Sequence, residues 1–256
     1  MGALHQGHLS LVDEARANGA KRIVATIFVN PTQFGPDEDL DAYPRTLQKD
    51  CDLLEAQGVD AVFCPSTELM YPAGHESFVT LDSLPKHLCG LSRPGHFRGV
   101  ATVVTQLFNL VQPDIAVFGE KDFQQLQVLK KMTQDLHFPI QIVGAPIVRE
   151  TDGLAMSSRN RYLSPDERLR AVKLSQALEL ARRHCADGDT DAAQLIASMM
   201  AHLEGVGTID YATIVDENTL EPVQVIDRPV RVLLAVQVGS ARLIDNRRLE
   251  PTKTTP

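Results

Sequence analysis

The sequence has no surplus of positive charge: 25 Lys and Arg stand against 33 Asp and Glu, a formal net charge of −8. Neutralising a run of nucleic-acid phosphates takes many Lys and Arg, so a nucleic-acid binder is not expected. Long hydrophobic runs are missing too. The longest, residues 23–29 and 232–236, are strand-sized and well short of the roughly 18 residues that suggest a membrane span. The first residues carry neither the basic nor the apolar segment of a secretory leader. Cysteine is sparse: Cys51, Cys64, Cys89 and Cys185 form no Cys-x-x-Cys and cannot make a disulfide framework in a chain of 256 residues. There is no tryptophan, which decides nothing, and no internal repeat or low-complexity linker. The expectation is a soluble protein of a reducing cytoplasm, with no membrane and no nucleic-acid partner.

What is present suits a globular fold. Hydrophobic residues make up 43% and charged residues 23%, enough apolar content for a core and too much for a disordered chain. Over the first 145 or so residues, short β-branched runs at 22–29, 61–64, 115–118 and 140–143 each fit a strand buried on both faces. Helical patterns lie between them, at 9–18, 44–57 with Pro44 at its first position, about 100–111, and 122–136. That alternation predicts a doubly wound parallel sheet, an α/β Rossmann-like domain over residues 1–147. From 148 to 256 the pattern changes. Two long helices, 165–185 and 190–203, precede strands at 209–215, 230–238 and 241–244, predicting a smaller α+β domain. The tail 251–256 reads as frayed.

Two constellations carry chemistry. His5-Gln-Gly-His8 stands where the first helix should begin. Residues three apart project from one side of a first turn, and a helix N-terminus offers unpaired N–H groups and partial positive charge to a phosphate. Alone, the pair reads first as a surface His5 and a helix-capping His8; a zinc pair lacks a third ligand at a familiar spacing. Met156-Ser-Ser-Arg159 lies in a segment with no periodicity, where hydroxyl, backbone and guanidinium donors can wrap a triphosphate. Its bland reading is a solvated loop before the helix start Ser164-Pro-Asp-Glu167. Together, the two point to adenylate transfer.

These two motifs resemble the HIGH and KMSKS signatures of the nucleotidylyltransferase superfamily. Met1-Gly-Ala-Leu-His-Gln-Gly-His8, Phe28-Val-Asn-Pro-Thr-Gln-Phe-Gly35, Tyr43-Pro-Arg45, Arg93-Pro-Gly-His-Phe-Arg-Gly-Val100, Phe118-Gly-Glu-Lys-Asp-Phe-Gln-Gln125 and Asp152-Gly-Leu-Ala-Met-Ser-Ser-Arg-Asn160 narrow the resemblance to the pantoate–β-alanine ligase family, across essentially the whole chain. It implies an AMP-forming ligase that condenses (R)-pantoate with β-alanine through a pantoyl-adenylate, with ATP as a substrate and Mg²⁺ held mainly by the phosphates. The implied catalytic groups are His5, His8 and Lys121. The implied ATP contacts are Met1, Gly2, Ala3, Leu4, His5, Gln6, Gly7 and His8, then Gly119, Glu120, Lys121 and Asp122, then Val148 against adenine, and Met156, Ser157, Ser158 and Arg159. Gln33 and Gln125, with Asn30, are the implied pantoate and β-alanine ligands; no residue is implied to ligate a metal. A homodimer is implied as well.

Several readings stay open at this point. His8 can serve proton transfer or electrostatic stabilisation, and Lys121 can be a solvated lysine beside a helix capped by Asp122. Arg93, His96 and Arg98 can form a charged flap, an interface or a plain surface loop. Cys89 stands where some family members have Glu, which would pair with Arg93; Cys89→Glu is expected to leave ATP affinity nearly unchanged. Family members also carry a helix and a central strand ahead of the Met-Gly-Ala-Leu-His motif. Order 3-2-1-4-5 without that strand is expected to leave two strands unpartnered and this form weakly active or poorly soluble, with an upstream-extended form active. The rivals are another HIGH-type nucleotidyltransferase and a silent ATP-binding or dimerisation module.

Overall fold

The computed structural model describes residues 2–36 and 38–251, and the chain divides into two compact units, Met1–Val148 and Arg149–Pro256.

In the first unit, α1 (Gln6–Ala17) leads to β1 (Val24–Thr26), α2 (Leu47–Ala56), β2 (Ala61–Phe63), the short α3 (Thr67–Met70) and α4 (Cys89–Ser92), then α5 (His96–Val111), β3 (Ile115–Gly119), α6 (Phe123–Asp135) and β4 (Gln141–Ala145). All pairing is parallel: β1 with β2 from Val24↔Ala61, and β3 with β4 from Ile115↔Gln141 to Gly119↔Ala145. The sheet is thus in two halves of two strands. Each strand has one neighbour, and among the described residues the two pairs are not hydrogen-bonded to each other. Residues of β3 are all only half-buried, not buried on both faces, because each pair keeps an open hydrogen-bonding edge. Helix α1 touches both halves: Leu9 and Val12 pack with Ala25 and Leu54, and the same helix lies against β3 and β4. Val100, Ala101, Val104 and Phe108 of α5 join Leu129 and Met132 of α6 in a second cluster over Phe118 and Ile142.

Of the boundaries that moved, α2 and β1 show the physical reason plainly. Helix α2 begins at Leu47 rather than Pro44, because Thr46 takes the N-cap position in non-helical geometry and Pro44 serves the approach to it. Strand β1 covers three residues of the eight expected, since beyond Ile27, whose N–H still donates to the Phe63 carbonyl, the chain leaves the ladder to start a 3₁₀ turn, Pro31–Gln33.

In the second unit, α7 (Pro165–Ala186) and α8 (Ala192–His202) pack on an antiparallel sheet of β5 (Thr208–Asp216), β6 (Val230–Val238) and β7 (Ala241–Leu249), in that order. Helix α7 opens on a capping box: Ser164 Oγ accepts from Glu167 N and the Glu167 carboxylate accepts from Ser164 N. Leu174, Leu178, Leu195, Met199, Val232, Leu234 and Val236 are almost wholly buried in one core. No described helix is long and apolar enough to cross a membrane.

Candidate active site

In the first unit, the groups singled out by sequence gather at the carboxyl ends of the parallel strands, the edge where open α/β sheets bind ligands. Helix α1 starts there. His5 is its N-cap: His5 Nδ1 accepts from Gly7 N at 3.1 Å, and His8 Nδ1 accepts from His5 N at 3.3 Å. The two rings stand with centroids 4.0 Å apart. The capping and functional readings of this pair are therefore compatible, and the capping bonds have a chemical consequence. An imidazole accepting at Nδ1 carries its proton on Nε2, which makes that nitrogen the donor of each ring. Burial, and then the neighbouring His5, lower the His8 pKa to about 3, which keeps this ring neutral near pH 7 without a bound anion. That favours a hydrogen-bond donor over a general base, since an efficient base has a pKa near the working pH.

Lys121 and Asp122 lie in the 3₁₀ turn Glu120–Asp122 that follows β3. Both charges act on His8, Asp122 raising its pKa and Lys121 lowering it, so the turn and the start of α1 are neighbours. Asp122 holds the N-cap position of α6 but makes no side-chain cap bond; the capping reading of Asp122 is not what the structure shows. The adjacent glutamines divide as helix geometry requires. Gln124 is buried, its Nε2 donating to the Leu84 and His87 carbonyls, while Gln125 is only half-buried.

Beyond β1, Gln33 ends the turn Pro31–Gln33. Asn30 is 2% exposed and saturated by protein groups: Oδ1 accepts from Thr32 N, Thr32 Oγ1 and Tyr71 Oη, and Nδ2 donates to the Gly99 carbonyl at 3.1 Å and to Gln33 Oε1 at 3.2 Å. Asn30 thus orients Gln33 and leaves the Gln33 Nε2 as the group to offer a ligand. Helix α5 lies directly on this turn. A Cβ on Gly99 would stand 2.4 Å from the Thr32 carbonyl oxygen, so only glycine permits the approach. His96 Nδ1–H donates to the Gln33 carbonyl at 2.8 Å and His96 Nε2 accepts from Arg93 Nη1 at 3.0 Å. Arg93 in turn grips both oxygens of Glu38, Nε to Oε1 at 2.7 Å and Nη2 to Oε2 at 2.5 Å. Burial pushes the Glu38 carboxyl up, but the hydrogen bonds and charge of Arg93 outweigh it and the net shift is down. Burial, then Arg93, bring the His96 pKa to about 4.

Arg93 and His96 are therefore not a loose surface loop; they brace the Gln33 turn. Arg98 instead stacks on Phe78, 3.7 Å from the ring centroid. The pairing imagined for a glutamate at position 89 is already supplied by Glu38, and Cys89 is buried. Glu38, Tyr71 and Gly99 escaped sequence reasoning; a glycine inside an otherwise apolar helix was the available signal for the last.

A cleft of about 330 Å³ opens beside the exit of β4, lined by Ser10, Asp13, Glu14 and Ala17 of α1 and by Ala145, Pro146, Ile147 and Val148. Gly2, Ala3 and Leu4 are buried beneath the start of α1, Gln6 is exposed and Gly7 half-buried; Gly119 and Glu120 are half-buried at the end of β3. Met1 lies outside the described residues. Among the described residues no three His, Cys, Asp or Glu side chains converge as a metal cage.

In the second unit, Ser157 Oγ accepts from Arg159 N and caps a 3₁₀ turn, Ser158–Tyr162. Met156 is half-buried and Ser158 buried. The turn is braced by Asn160, whose Nδ2 donates to Glu150 Oε1 at 2.6 Å and to the Ala155 carbonyl at 3.0 Å; Arg168 bridges Glu150 and Asp152. Arg149 binds both oxygens of the buried Asp245.

Comparison with known proteins identifies the family. A family model described as pantoate-beta-alanine ligase matches residues 1–248. A pantothenate synthetase of Thermotoga petrophila is 54% identical over 248 residues, 96% of this chain and 88% of the relative, and one of Desulforapulum autotrophicum is 54% identical over 253 residues, 98% and 89%. The crystal structure of pantothenate synthetase from Thermus thermophilus superposes with a TM-score of 0.95 at 47% identity, covering 98% of this chain and 91% of the other. A pantoate-beta-alanine ligase from Francisella tularensis, crystallised with "beta-gamma ATP" and beta-alanine, superposes with a TM-score of 0.78 at 32% identity, covering 96% and 86%. The chain belongs to the pantoate–β-alanine ligase family.

Proposed function

We propose that this chain condenses pantoate with β-alanine at the expense of ATP, and that His5, His8, Lys121 and Gln33 form the working face of its first unit. The observation that carries the residue assignment is the histidine capping box, in which both rings accept backbone N–H groups at Nδ1 and so carry their protons on Nε2. In the first half-reaction a pantoate carboxylate oxygen attacks the α-phosphorus and the bond to the β-phosphate breaks, releasing pyrophosphate. The carboxylate is already ionised at neutral pH and needs no base. The protein's task is to stabilise charge moving onto the leaving phosphates, for which neutral imidazole donors and the Lys121 ammonium are suited.

In the second half-reaction the β-alanine amine attacks the acyl carbonyl, the C–O bond to AMP breaks, and the amine's surplus proton passes to water. The Gln33 Nε2, aimed by Asn30 and His96, donates to pantoate, with Gln125 as its counterpart on α6. A neutral amide binds the substrate without an ion pair that would blunt the nucleophile. The acidic wall of the Val148 cleft repels phosphate and suits a neutral base, so adenine is assigned there, with its triphosphate extending toward the start of α1. Ser157, Ser158 and Arg159 are assigned to the triphosphate from the second unit. Magnesium enters as MgATP. The working enzyme is a cytoplasmic homodimer in this reading.

A pyrophosphate-release assay with MgATP and pantoate, with and without β-alanine, tests the proposal. Expected are one enzyme-equivalent of pyrophosphate without β-alanine and sustained release with it. Release that ignores pantoate, or a product with cytidine nucleotides instead, would point to another nucleotidyltransferase.

A further inference from the structure

We infer that Asp50 is a positioning residue for the histidine turn, the part of α2 that holds the start of α1 in its working geometry. Asp50 is 1% exposed, a carboxylate inside the apolar stripe of α2 one turn before the buried Leu54. Its two oxygens accept from two consecutive main-chain amides 46 and 47 residues away: Ala3 N to Oδ2 and Leu4 N to Oδ1, both at 2.8 Å. Thr46 Oγ1 adds a third donor to Oδ1 at 3.1 Å.

The segment so held needs holding. Ala3 has a φ of +50°, a left-handed conformation that is strained for any residue with a Cβ. The very next amides lead into His5, whose own N–H is the group His8 accepts. Asp50 lies in the first turn of α2, where the helix dipole favours its negative charge. The chain of contacts therefore runs from a charge fixed on α2, through the strained turn at Ala3 and Leu4, to the two imidazoles. A carboxylate is the side chain that can accept from two parallel N–H groups at once. An asparagine of the same shape would set its own NH₂ against one of them.

This inference rests on the proposal that His5 and His8 serve ATP. The test measures steady-state kinetics of Asp50→Asn and Thr46→Val with each of the three substrates varied, beside His5→Ala and His8→Ala. Asp50→Asn is expected to lower kcat/KM for ATP about 10- to 100-fold, the scale of a displacement near 1 Å at a reacting centre. The KM values for pantoate and β-alanine should move less than about twofold. Thr46→Val is expected to show a smaller loss with the same split, and it decides the matter if Asp50→Asn does not fold. Combined with His8→Ala, the Asp50→Asn loss should largely disappear, because both act on one element. Wild-type kcat/KM for ATP in the folded variants, or KM values raised alike for all three substrates, would overturn the inference while leaving the histidine assignment standing. If His5→Ala and His8→Ala also leave ATP use unchanged, both fall.

Discussion

The bracing of the Gln33 turn predicts a specific acid sensitivity. His96 is buried, donates from Nδ1 and accepts at Nε2; a proton added to Nε2 would lose the bond from Arg93 and set two cations together. Its pKa in the folded chain is lowered to about 4, by burial first and Arg93 second, from an ordinary 6.5. Because the folded value lies below the unfolded one, the unfolded chain binds more protons between the two, and stability falls as pH drops through about 6.5. At pH 5.5 an unfolded histidine is about nine-tenths protonated while His96 is still neutral. The linkage integral from pH 7.5 to 5.5 then comes to about 1.3 kcal/mol for this one group. His8, at about 3, adds a loss of the same sign.

His96→Gln keeps one donor for the Gln33 carbonyl and one acceptor for Arg93 but cannot titrate. Urea unfolding followed by circular dichroism at pH 7.5 and 5.5 should show the wild type losing about 1.3 kcal/mol more than His96→Gln across that interval, in whichever transition the substitution affects. The carboxylates held low, Glu38 and Asp60 among them, release their contributions only below that window. Equal losses in the two proteins would refute the reasoning, since they would mean that His96 is protonated in the folded state as readily as in the unfolded one.

Three further outcomes follow from the same geometry. Gly99→Ala drives a methyl against the Thr32 carbonyl; it should cost about 1–3 kcal/mol of stability and raise the KM for pantoate well above that for ATP in steady-state assays. Arg93→Met removes the grip on Glu38 and the bond to His96, so pantoate affinity measured by calorimetry should fall while ATP affinity holds. Cys89→Glu places a carboxylate in a buried position whose nearby arginine is already engaged by Glu38; thermal unfolding should show a loss of about 1–3 kcal/mol, with KM for ATP within about twofold of wild type.

Much of this molecule is legible in its sequence where one physical signal dominates. Strand β6, Val230–Val238, is found at the bounds its apolar run predicts, because every position but one is buried. Helix α7 starts where Ser164 and Glu167 promise a capping box. The histidine pair was readable as a helix start from its spacing. What could not be read is whatever depends on partners far along the chain. Glu38 and Arg93 are 55 residues apart, and Asp50 and Ala3 are 47; nothing local reveals either pairing. Asp50 did leave a trace, since Leu47, Cys51 and Leu54 mark an apolar face and an acid within it must find donors or be expelled. Asn30, expected to touch substrate, is instead saturated by Thr32, Tyr71, Gly99 and Gln33. That outcome required knowing that α5 comes down on the turn. The half-burial of β3 likewise follows from an open edge, which periodicity does not report.

The central claim is that a pantoate carboxylate oxygen attacks the α-phosphorus and that this one oxygen leaves in AMP. Pantoate labelled with ¹⁸O in both carboxylate positions, incubated with the enzyme, MgATP and β-alanine, tests it most directly by mass spectrometry of the products. The account predicts AMP carrying a single ¹⁸O, pantothenate retaining the other in its amide carbonyl, and unlabelled pyrophosphate. Label in pyrophosphate or inorganic phosphate, or none in AMP, would contradict it.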